Sequence, residues 1–184
     1  MIWVATGGNK FLFIEGTTDD TNGNLREGFY KLLYQRLKDN MPRIRMGNNT
    51  RETIGKYKAC QSNSYALIDL DDFEANKKTA MDKYEINDSD QVFFMIQEME
   101  AWFISQPDIL DEYYGFKISE KLIKKNAKEF KCPDEYLQDL TKQCKKGRYH
   151  KVRHGVELLK KLDANKLQNY FSEFDTLIRK IEEA

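Results

Sequence analysis

Two aspartates stand close together at the end of a short apolar stretch. Asp69 and Asp71 occur in the run ALIDLDD, residues 66–72. Side chains two apart in a strand point the same way, so a strand here would present both carboxylates side by side. Such carboxylates repel unless a cation lies between them, and oxygen ligands at a strand end suit Mg²⁺ with a phosphate substrate. A solvated turn, where aspartate caps helices, is the alternative interpretation.

A second carboxylate follows another apolar stretch. The run KFLFIEG, residues 10–16, ends in Glu15 and Gly16, and the glycine allows an unusual backbone turn directly after the carboxylate. Glu15 and Asp69 are 54 residues apart (69 − 15), which is room for two strand-helix crossovers in one parallel sheet. Because open α/β sheets place ligand sites at the carboxyl ends of their strands, we expect both residues at that edge.

A third acidic stretch comes directly after the apolar run at residues 92–96. Glu98 and Glu100 lie in QEMEAW, residues 97–102. Either carboxylate could lie near the same sheet edge, and Glu100 or Glu98 could add a ligand or orient a water. The alternative is a helix start, where acidic side chains offset the helix dipole. Trp102 is interpreted as a packing anchor rather than a base-stacking platform.

A basic segment, KKGRYHKVRH at residues 145–154, contains both histidines of the chain. If it folds back over the sheet edge, Lys151 could stabilise a phosphate or leaving-group charge, and His150 or His154 could be a general acid. A solvated basic loop and first helical turn are the alternative. The residues predicted to contact nucleic acid are Lys145, Lys146, Arg148, His150, Lys151 and Arg153.

The elements that must position these residues follow from hydrophobic periodicity. Apolar runs predict strands at 10–15, 42–46, 64–69 and 91–97, with helices between them at 24–39, 50–61 and 74–84. Thr50 is a candidate cap for the second of these helices. The first nine residues are interpreted as a short extra strand or a lead-in. From residue 99 onward helices are predicted at 99–105, 108–114, 119–130, 134–143, 149–162 and 166–183.

This order of elements predicts an α/β fold with a parallel-rich sheet of about four strands, flanked by helices. Residues 1–105 are assigned to the α/β core. Residues 106–184 are assigned to a helical C-terminal part packed on that core in a single domain.

Charge is balanced overall but unevenly distributed. Residues 115–161 hold 14 Lys/Arg and 6 Asp/Glu, a net of +8, so the rest of the chain carries −8. This asymmetry favours a polyanion partner beside an acidic region that could hold cations, although lysine-rich helix surfaces also serve solubility. Three cysteines without a CxxC pair, and no apolar run of membrane-spanning length, indicate a cytoplasmic protein with reduced thiols that does not enter a membrane.

Taken together, the acidic stretches resemble the Toprim arrangement, in which an apolar strand ends in Glu-Gly and a later strand in Asp-x-Asp. That fold is shared by topoisomerases, bacterial primases and nucleases of the overcoming-lysogenisation-defect type. The chain is more similar to a family of small, largely uncharacterised Toprim-like bacterial proteins, and four stretches carry the similarity: EGTTD at 15–19, DLD at 69–71, QEMEAW at 97–102 and YHK at 149–151. Two departures are Asp19, where that family more usually has Glu, and Asp72, where primases and topoisomerases have glycine.

The resemblance implies phosphodiester chemistry dependent on Mg²⁺ or Mn²⁺. Glu15, Asp69 and Asp71 would be metal ligands and catalytic residues, with Glu100 and Lys151 as further catalytic residues. It implies a nuclease or nuclease-like effector acting on DNA or RNA, with an ABC-type ATPase as partner in a bacterial defence system. A non-catalytic interaction module and phosphoryl chemistry on a small nucleotide remain open, and the apolar last helix suggests a homodimer.

Overall fold

A parallel sheet of four strands forms the centre of the molecule. The computed structural model describes residues 10–19, 21–60, 63–122 and 125–184, so the first nine residues and their expected strand or lead-in lie outside the described residues. The strands, in chain order, are β1 (Phe11–Glu15), β2 (Thr18–Asp19), β3 (Gly23–Asn24), β4 (Arg43–Gly47), β5 (Ser64–Asp69) and β6 (Val92–Met95). The main sheet has the order β4-β1-β5-β6, and all its neighbouring strands are parallel. The predicted α/β fold with a parallel-rich sheet is confirmed; the small β2-β3 hairpin was not predicted.

The strand sequences explain this sheet. β5 is buried along its whole length, and the three middle residues of β1 are buried. Parallel strands that are covered on both faces have near-continuous apolar sequences, and β1 and β5 show that pattern. Ile14 is paired with Leu67 in the register of β1 and β5, so the two strands end beside each other.

The helices of the described residues are α1 (Leu25–Leu37), α2 (Thr50–Ala59), α3 (Lys77–Lys83), α4 (Met99–Ile104), α5 (Pro107–Tyr114), α6 (Pro133–Thr141), α7 (Arg153–Lys161), α8 (Ala164–Tyr170) and α9 (Ser172–Glu183). The C-terminal half is helical, as predicted. One long final helix was predicted, but the chain is extended at Phe171, between α8 and α9. The buried Phe171 ring lies 6.3 Å from that of Trp102, so core packing accompanies the break.

The helix predicted at 119–130 is wrong for the described part of that range. Turns cover residues 119–121, and a short 3-10 helix covers Ala127–Glu129. Ser119, the expected cap, is bound to Asp111 of α5 through both its backbone N–H and its hydroxyl. Asp111 of α5 therefore binds the residue that was expected to start a new helix, Ser119.

The C-terminal helices pack directly on the sheet and on α1. α7 approaches α1 at Gly28, where an added Cβ would lie 2.7 Å from Cβ of Leu159. α9 runs beside the edge strand β6, and Glu173 accepts a hydrogen bond from the backbone N–H of Phe94 at 3.1 Å. Trp102 is buried against aromatic rings of α1 and α9, which agrees with its interpretation as a packing anchor.

The apolar stripe of α9 is buried within the chain; its members are Phe174, Leu177, Ile178 and Ile181. It therefore packs into the core and is not the exposed dimer surface that the sequence suggested. Among the described residues, no helix has the length and apolar character needed to cross a membrane.

Candidate active site

Glu15 ends β1 at the carboxyl edge of the sheet, in contact with the end of β5. Its carboxylate accepts hydrogen bonds from the Thr50 hydroxyl at 3.0 and 2.9 Å and from the backbone N–H of Asp69 at 3.1 Å. Thr50 does not cap α2 as predicted. Asn49 does so instead, by accepting from the N–H of Glu52, which leaves the Thr50 hydroxyl for Glu15.

The turn after Glu15 requires glycine. Gly16 has φ +147°, a conformation that other residues rarely adopt. An added Cβ would lie 3.1 Å from side-chain atoms of both Leu25 and Met46. The Gly16 N–H donates to the carbonyl of Gly47 at 2.8 Å. The unusual backbone expected after Glu15 is therefore present, and it turns the chain away from the carboxylate.

Asp69 ends β5 and is buried, with 7% of its surface exposed. One carboxylate oxygen accepts from the backbone N–H of Met99, at the start of α4, at 3.1 Å. The other accepts from Lys151 Nζ at 2.9 Å. Asp69 thus joins the sheet, α4 and the segment that precedes α7.

Glu100 lies fully buried in the first turn of α4, next to Lys151. Its Oε1 accepts from the Tyr149 hydroxyl at 2.7 Å, and its Oε2 lies 3.8 Å from Lys151 Nζ with no hydrogen-bond partner among the described residues. Burial raises the pKa of Glu100, and the nearby Lys151 opposes that rise. Burial lowers the pKa of Lys151, but Asp69 and Glu100 outweigh it and raise that pKa, so the ammonium stays charged.

Asp71 lies beyond the strand, in irregular backbone. β5 ends at Asp69, and Asp71 is exposed with φ +55°. Its N–H donates to the carbonyl of Gln97, itself at φ +66°, at 2.7 Å. The prediction that Asp71 points the same way as Asp69 in one strand is therefore wrong, because the chain has left the strand before Asp71. Both aspartates nevertheless line one cavity of about 210 Å³, together with Lys83.

We call Glu15, Asp69, Asp71, Glu98 and Glu100, together with Lys151, the carboxylate centre. Negative charge exceeds positive charge in this centre. Burial, then Asp69, raises the pKa of Glu15 to about 7, against the hydrogen bonds from Thr50 and the Asp69 backbone. Burial, then Glu100, raises the pKa of Glu98 to about 8. Partial removal of the Asp71 carboxyl group from water, and then the charge of Asp69, also raise the pKa of Asp71. An added cation would relieve this repulsion.

The donors of the carboxylate centre suit a hard divalent cation by their chemistry but not by their present arrangement. Within the described residues, no group of three or more Asp, Glu, His or Cys side chains is already arranged to hold a metal. Existing contacts occupy these carboxylates, because Lys151 donates to one oxygen of Asp69 and the Thr50 hydroxyl donates to Glu15. The uncompensated carboxylates and the unpaired Oε2 of Glu100 nevertheless fit the all-oxygen preference of Mg²⁺ and Mn²⁺.

Lys151 is the basic residue of this segment that reaches the carboxylate centre. Lys145, Lys146, Arg148 and His150 are exposed to solvent. Lys146 Nζ lies 4.4 Å from the ring centroid of Tyr113. Contacts of these four side chains with nucleic acid stay a prediction.

His154 is buried, with 2% of its surface exposed, in what we call the imidazole cluster of Tyr114, His150, Arg153 and His154. Its Nδ1 accepts from the backbone N–H of His150 at 3.0 Å and lies 3.3 Å from the Tyr114 hydroxyl, while Arg153 Nε lies 3.1 Å from Nε2. Burial, then Arg153, lowers the pKa of His154 to about 4. A neutral, enclosed imidazole argues against His154 as a general acid. Arg153 also donates to the carbonyl of Lys146 at 3.2 Å, so it braces the turn.

Sequence reasoning missed two polar partners in the carboxylate centre. Tyr149 holds Glu100, and its place two residues before Lys151 in the YHK motif was the available sign. Thr50 holds Glu15, and nothing in the sequence separates this threonine from an ordinary first residue of a helix.

Comparison with models of protein families matches residues 14–182, most of the chain, to a family described as a domain of unknown function (DUF4276). Comparisons with curated proteins and with solved structures give no match.

Proposed function

Since the chain belongs to the DUF4276 family, whose description assigns no function, we propose a function from the carboxylate centre. The protein is a metal-dependent phosphodiesterase, a nuclease that hydrolyses DNA or RNA. The Toprim-like resemblance of the acidic stretches supports the same proposal.

One observation carries the proposal: acidic residues from the end of β5 and the start of α4 meet around a single lysine at the carboxyl edge of a parallel sheet, and Glu15 from the end of β1 adjoins them. Asp69 lies 2.9 Å and Glu100 3.8 Å from Lys151 Nζ, and Glu15 binds the Asp69 backbone. This edge is where open α/β sheets bind ligands. Buried like charges are costly, so such a set favours a cationic ligand over a purely structural role.

In this proposal Glu15, Asp69 and Asp71 hold Mg²⁺ or Mn²⁺. A bound ion of this kind neutralises phosphate charge and lowers the pKa of a bound water. Lys151 donates to the charge that develops on the phosphate or leaving oxygen, in a partly dehydrated site where such contacts are stronger than in water. Glu100, whose carboxylate accepts a hydrogen bond from the Tyr149 hydroxyl, positions Lys151.

The test is a cleavage assay on single- and double-stranded DNA and RNA with Mg²⁺ or Mn²⁺. Asp69→Asn keeps the shape of the side chain but removes its charge, and should lower the cleavage rate by about 100-fold or more. Asp88→Asn, at an exposed position outside the centre, is the matched control. Cleavage by Asp69→Asn at the rate of the control would refute the proposal.

A second candidate is a non-catalytic interaction module, and one observation favours it. Lys151 already neutralises part of the charge on Asp69, as an internal substitute for a metal would. Calorimetric titration with Mn²⁺ separates the two: the nuclease binds Mn²⁺ and loses that binding in Glu15→Gln, whereas the module shows no such binding. An ATPase partner is compatible with both candidates and stays a prediction.

A further inference from the structure

A separate groove of about 610 Å³ lies between the end of α5 and the segment that follows α6. Phe116, Leu140 and Cys144 contribute apolar surface to it. No residue of the carboxylate centre lines it, so it requires an explanation of its own. The groove is large enough for part of an organic ligand.

Phe116 is the exposed aromatic side of this groove. It follows Gly115, the left-handed residue that ends α5, and 45% of its surface is exposed. Lys121 Nζ lies 4.3 Å from its ring centroid. A single exposed aromatic is ordinary, but a ring beside a lysine offers a face on which a base can stack and a cation for its phosphate.

The charges around the ring favour an anion. Lys121, Lys142 and Lys145 line the groove, and among its described lining residues the acidic one is Asp139. Asp139 is 3.9 Å from Lys142, so Lys121 and Lys145 are left without a carboxylate partner within the groove.

The groove is also continuous in sequence with the carboxylate centre. Lys145 is six residues before Lys151, a distance of no more than about 22 Å even for an extended chain. Lys146 and Arg148 lie between them and are exposed. A polymer of phosphates can reach both the groove and the carboxylate centre, whereas a mononucleotide would occupy only one of them.

We propose that the groove binds the unpaired bases of a single-stranded nucleic acid, with one base stacked on Phe116 and adjacent phosphates on Lys121 and Lys145. The inference rests on the proposed function and names its substrate class. Bases inside a duplex are stacked on one another and do not reach Phe116, so the groove selects single strands over duplexes.

The test measures binding without cleavage. Fluorescent single-stranded DNA and RNA of about 15 nucleotides, and the matching duplexes, are titrated in EDTA with the wild-type protein and Phe116→Ala. The wild type should bind single strands about tenfold more tightly than duplexes. Phe116→Ala should weaken single-strand binding by about 5- to 100-fold and leave duplex binding unchanged. The DNA and RNA arms show which sugar the groove accepts.

Two further variants control for general effects. Tyr34→Ala removes an aromatic ring with 47% exposure on α1, outside the groove, and should leave binding within about twofold of wild type. Phe116→Trp keeps a stacking surface and should retain binding. Single-strand binding by Phe116→Ala equal to wild type, or an equal loss with duplex, overturns the inference.

The cleavage assay is read separately, so the two proposals can fail independently. Phe116-dependent binding without metal-dependent cleavage overturns the proposed nuclease activity and keeps the groove as a single-strand site. Cleavage with no dependence of binding on Phe116 overturns the groove alone.

Discussion

Two polar clusters, the carboxylate centre and the imidazole cluster, lie next to each other along residues 150–154 but differ in charge balance. In the imidazole cluster, each ring nitrogen of His154 has a polar neighbour and the ring is held neutral. In the carboxylate centre, several carboxylates share Lys151, and one oxygen of Glu100 has no hydrogen-bond partner among the described residues. The first cluster has no group of neighbouring carboxylates, whereas the second has an excess of negative charge that a cation would relieve.

The largest expected effect is that of Lys151→Met on catalysis. Removing the ammonium takes away the proposed contact to the transition-state charge, so the cleavage rate should fall by about 100-fold or more. It also leaves Asp69 and Glu100 without their shared cation, which should lower the free energy of unfolding by about 1–3 kcal/mol. Cleavage rates and urea unfolding measure the two effects.

The matched control for Lys151 is Lys78→Met, at an exposed position of α3. Lys124, in the lysine-rich stretch predicted as a helix at 119–130, would also serve for comparison, but it lies outside the described residues. Equal rates in the two variants would mean that Lys151 is only part of a diffuse basic surface.

The pH dependence of stability should come next in size. Because the pKa of Glu15 is raised from 4.5 to about 7 in the fold, the folded state holds a proton that the unfolded state has lost. The contribution of Glu15 to stability should therefore fall as the pH rises from 4.5 to about 7 and level off above that window. Glu15→Gln should remove up to about 3 kcal/mol of this fall, measured by urea unfolding in EDTA.

Two comparisons sharpen the Glu15 test. Glu182→Gln, at an exposed position of α9, should keep the wild-type pH profile. Mg²⁺ added above about pH 7 should stabilise the wild type more than Glu15→Gln, because the ion binds the ionised carboxylate. An unchanged profile in Glu15→Gln would show that this carboxyl group does not produce the slope.

The imidazole cluster should show the opposite pH dependence. The pKa of His154 is lowered from 6.5 to about 4. Between these pH values His154 is therefore protonated in the unfolded state and neutral in the folded state. Its contribution to stability is lost as the pH falls from 6.5 towards 4. His154→Phe should lower the free energy of unfolding near neutral pH by about 2 kcal/mol, because the groups that donate to the ring are left unpaired. The substitution should also reduce the loss of stability between pH 6.5 and about 4.

For His154→Phe the control is Tyr65→Phe, which removes a buried hydroxyl that donates to the Lys180 carbonyl at 3.1 Å, outside both clusters. Once corrected for the folded fraction, the cleavage rate should be the same in both variants. A specific loss of rate in His154→Phe would move His154 into the catalytic machinery.

Asp71→Asn should separate charge from structure within the carboxylate centre. Asparagine tolerates the left-handed backbone at this exposed position. Removing one of several repelling charges should leave the free energy of unfolding in EDTA unchanged or raised by up to about 1 kcal/mol. Mn²⁺ affinity, measured by calorimetry, should nevertheless fall. A clear loss of stability would identify Asp71 as structural.

The smallest expected effect belongs to the exposed part of the basic segment. Arg148→Ala should weaken nucleic-acid binding a few-fold and reduce the salt slope of log K by about 0.7–0.9, since one phosphate contact is lost. Arg153→Ala should instead lower stability, because Arg153 contacts His154 and Lys146. Fluorescence anisotropy at several salt concentrations checks the first expectation and thermal unfolding the second. Equal salt slopes in wild type and Arg148→Ala would remove Arg148 from the interface.

The amino-acid sequence by itself determined the elements whose periodicity is strong. The apolar runs of β1, β5 and β6 predicted buried parallel strands, and Glu15 and Asp69 do end their strands at one edge. The unusual turn at Gly16 was also predictable, because a glycine directly after a strand can adopt the positive φ that most side chains exclude. These features follow from local chain geometry and from the burial of apolar side chains.

Tertiary structure alone decided which polar groups meet. Tyr149 is 49 residues from Glu100, and Lys151 is 82 residues from Asp69. No local pattern encodes such separations, because they depend on how α7 docks against α1 and the sheet. The same holds for Ser119, which Asp111 binds across a turn, and for His154, which becomes a buried neutral base through its neighbours. Local periodicity sets where side chains point along an element, but hydrogen bonds and charge pairs depend on how the elements pack together.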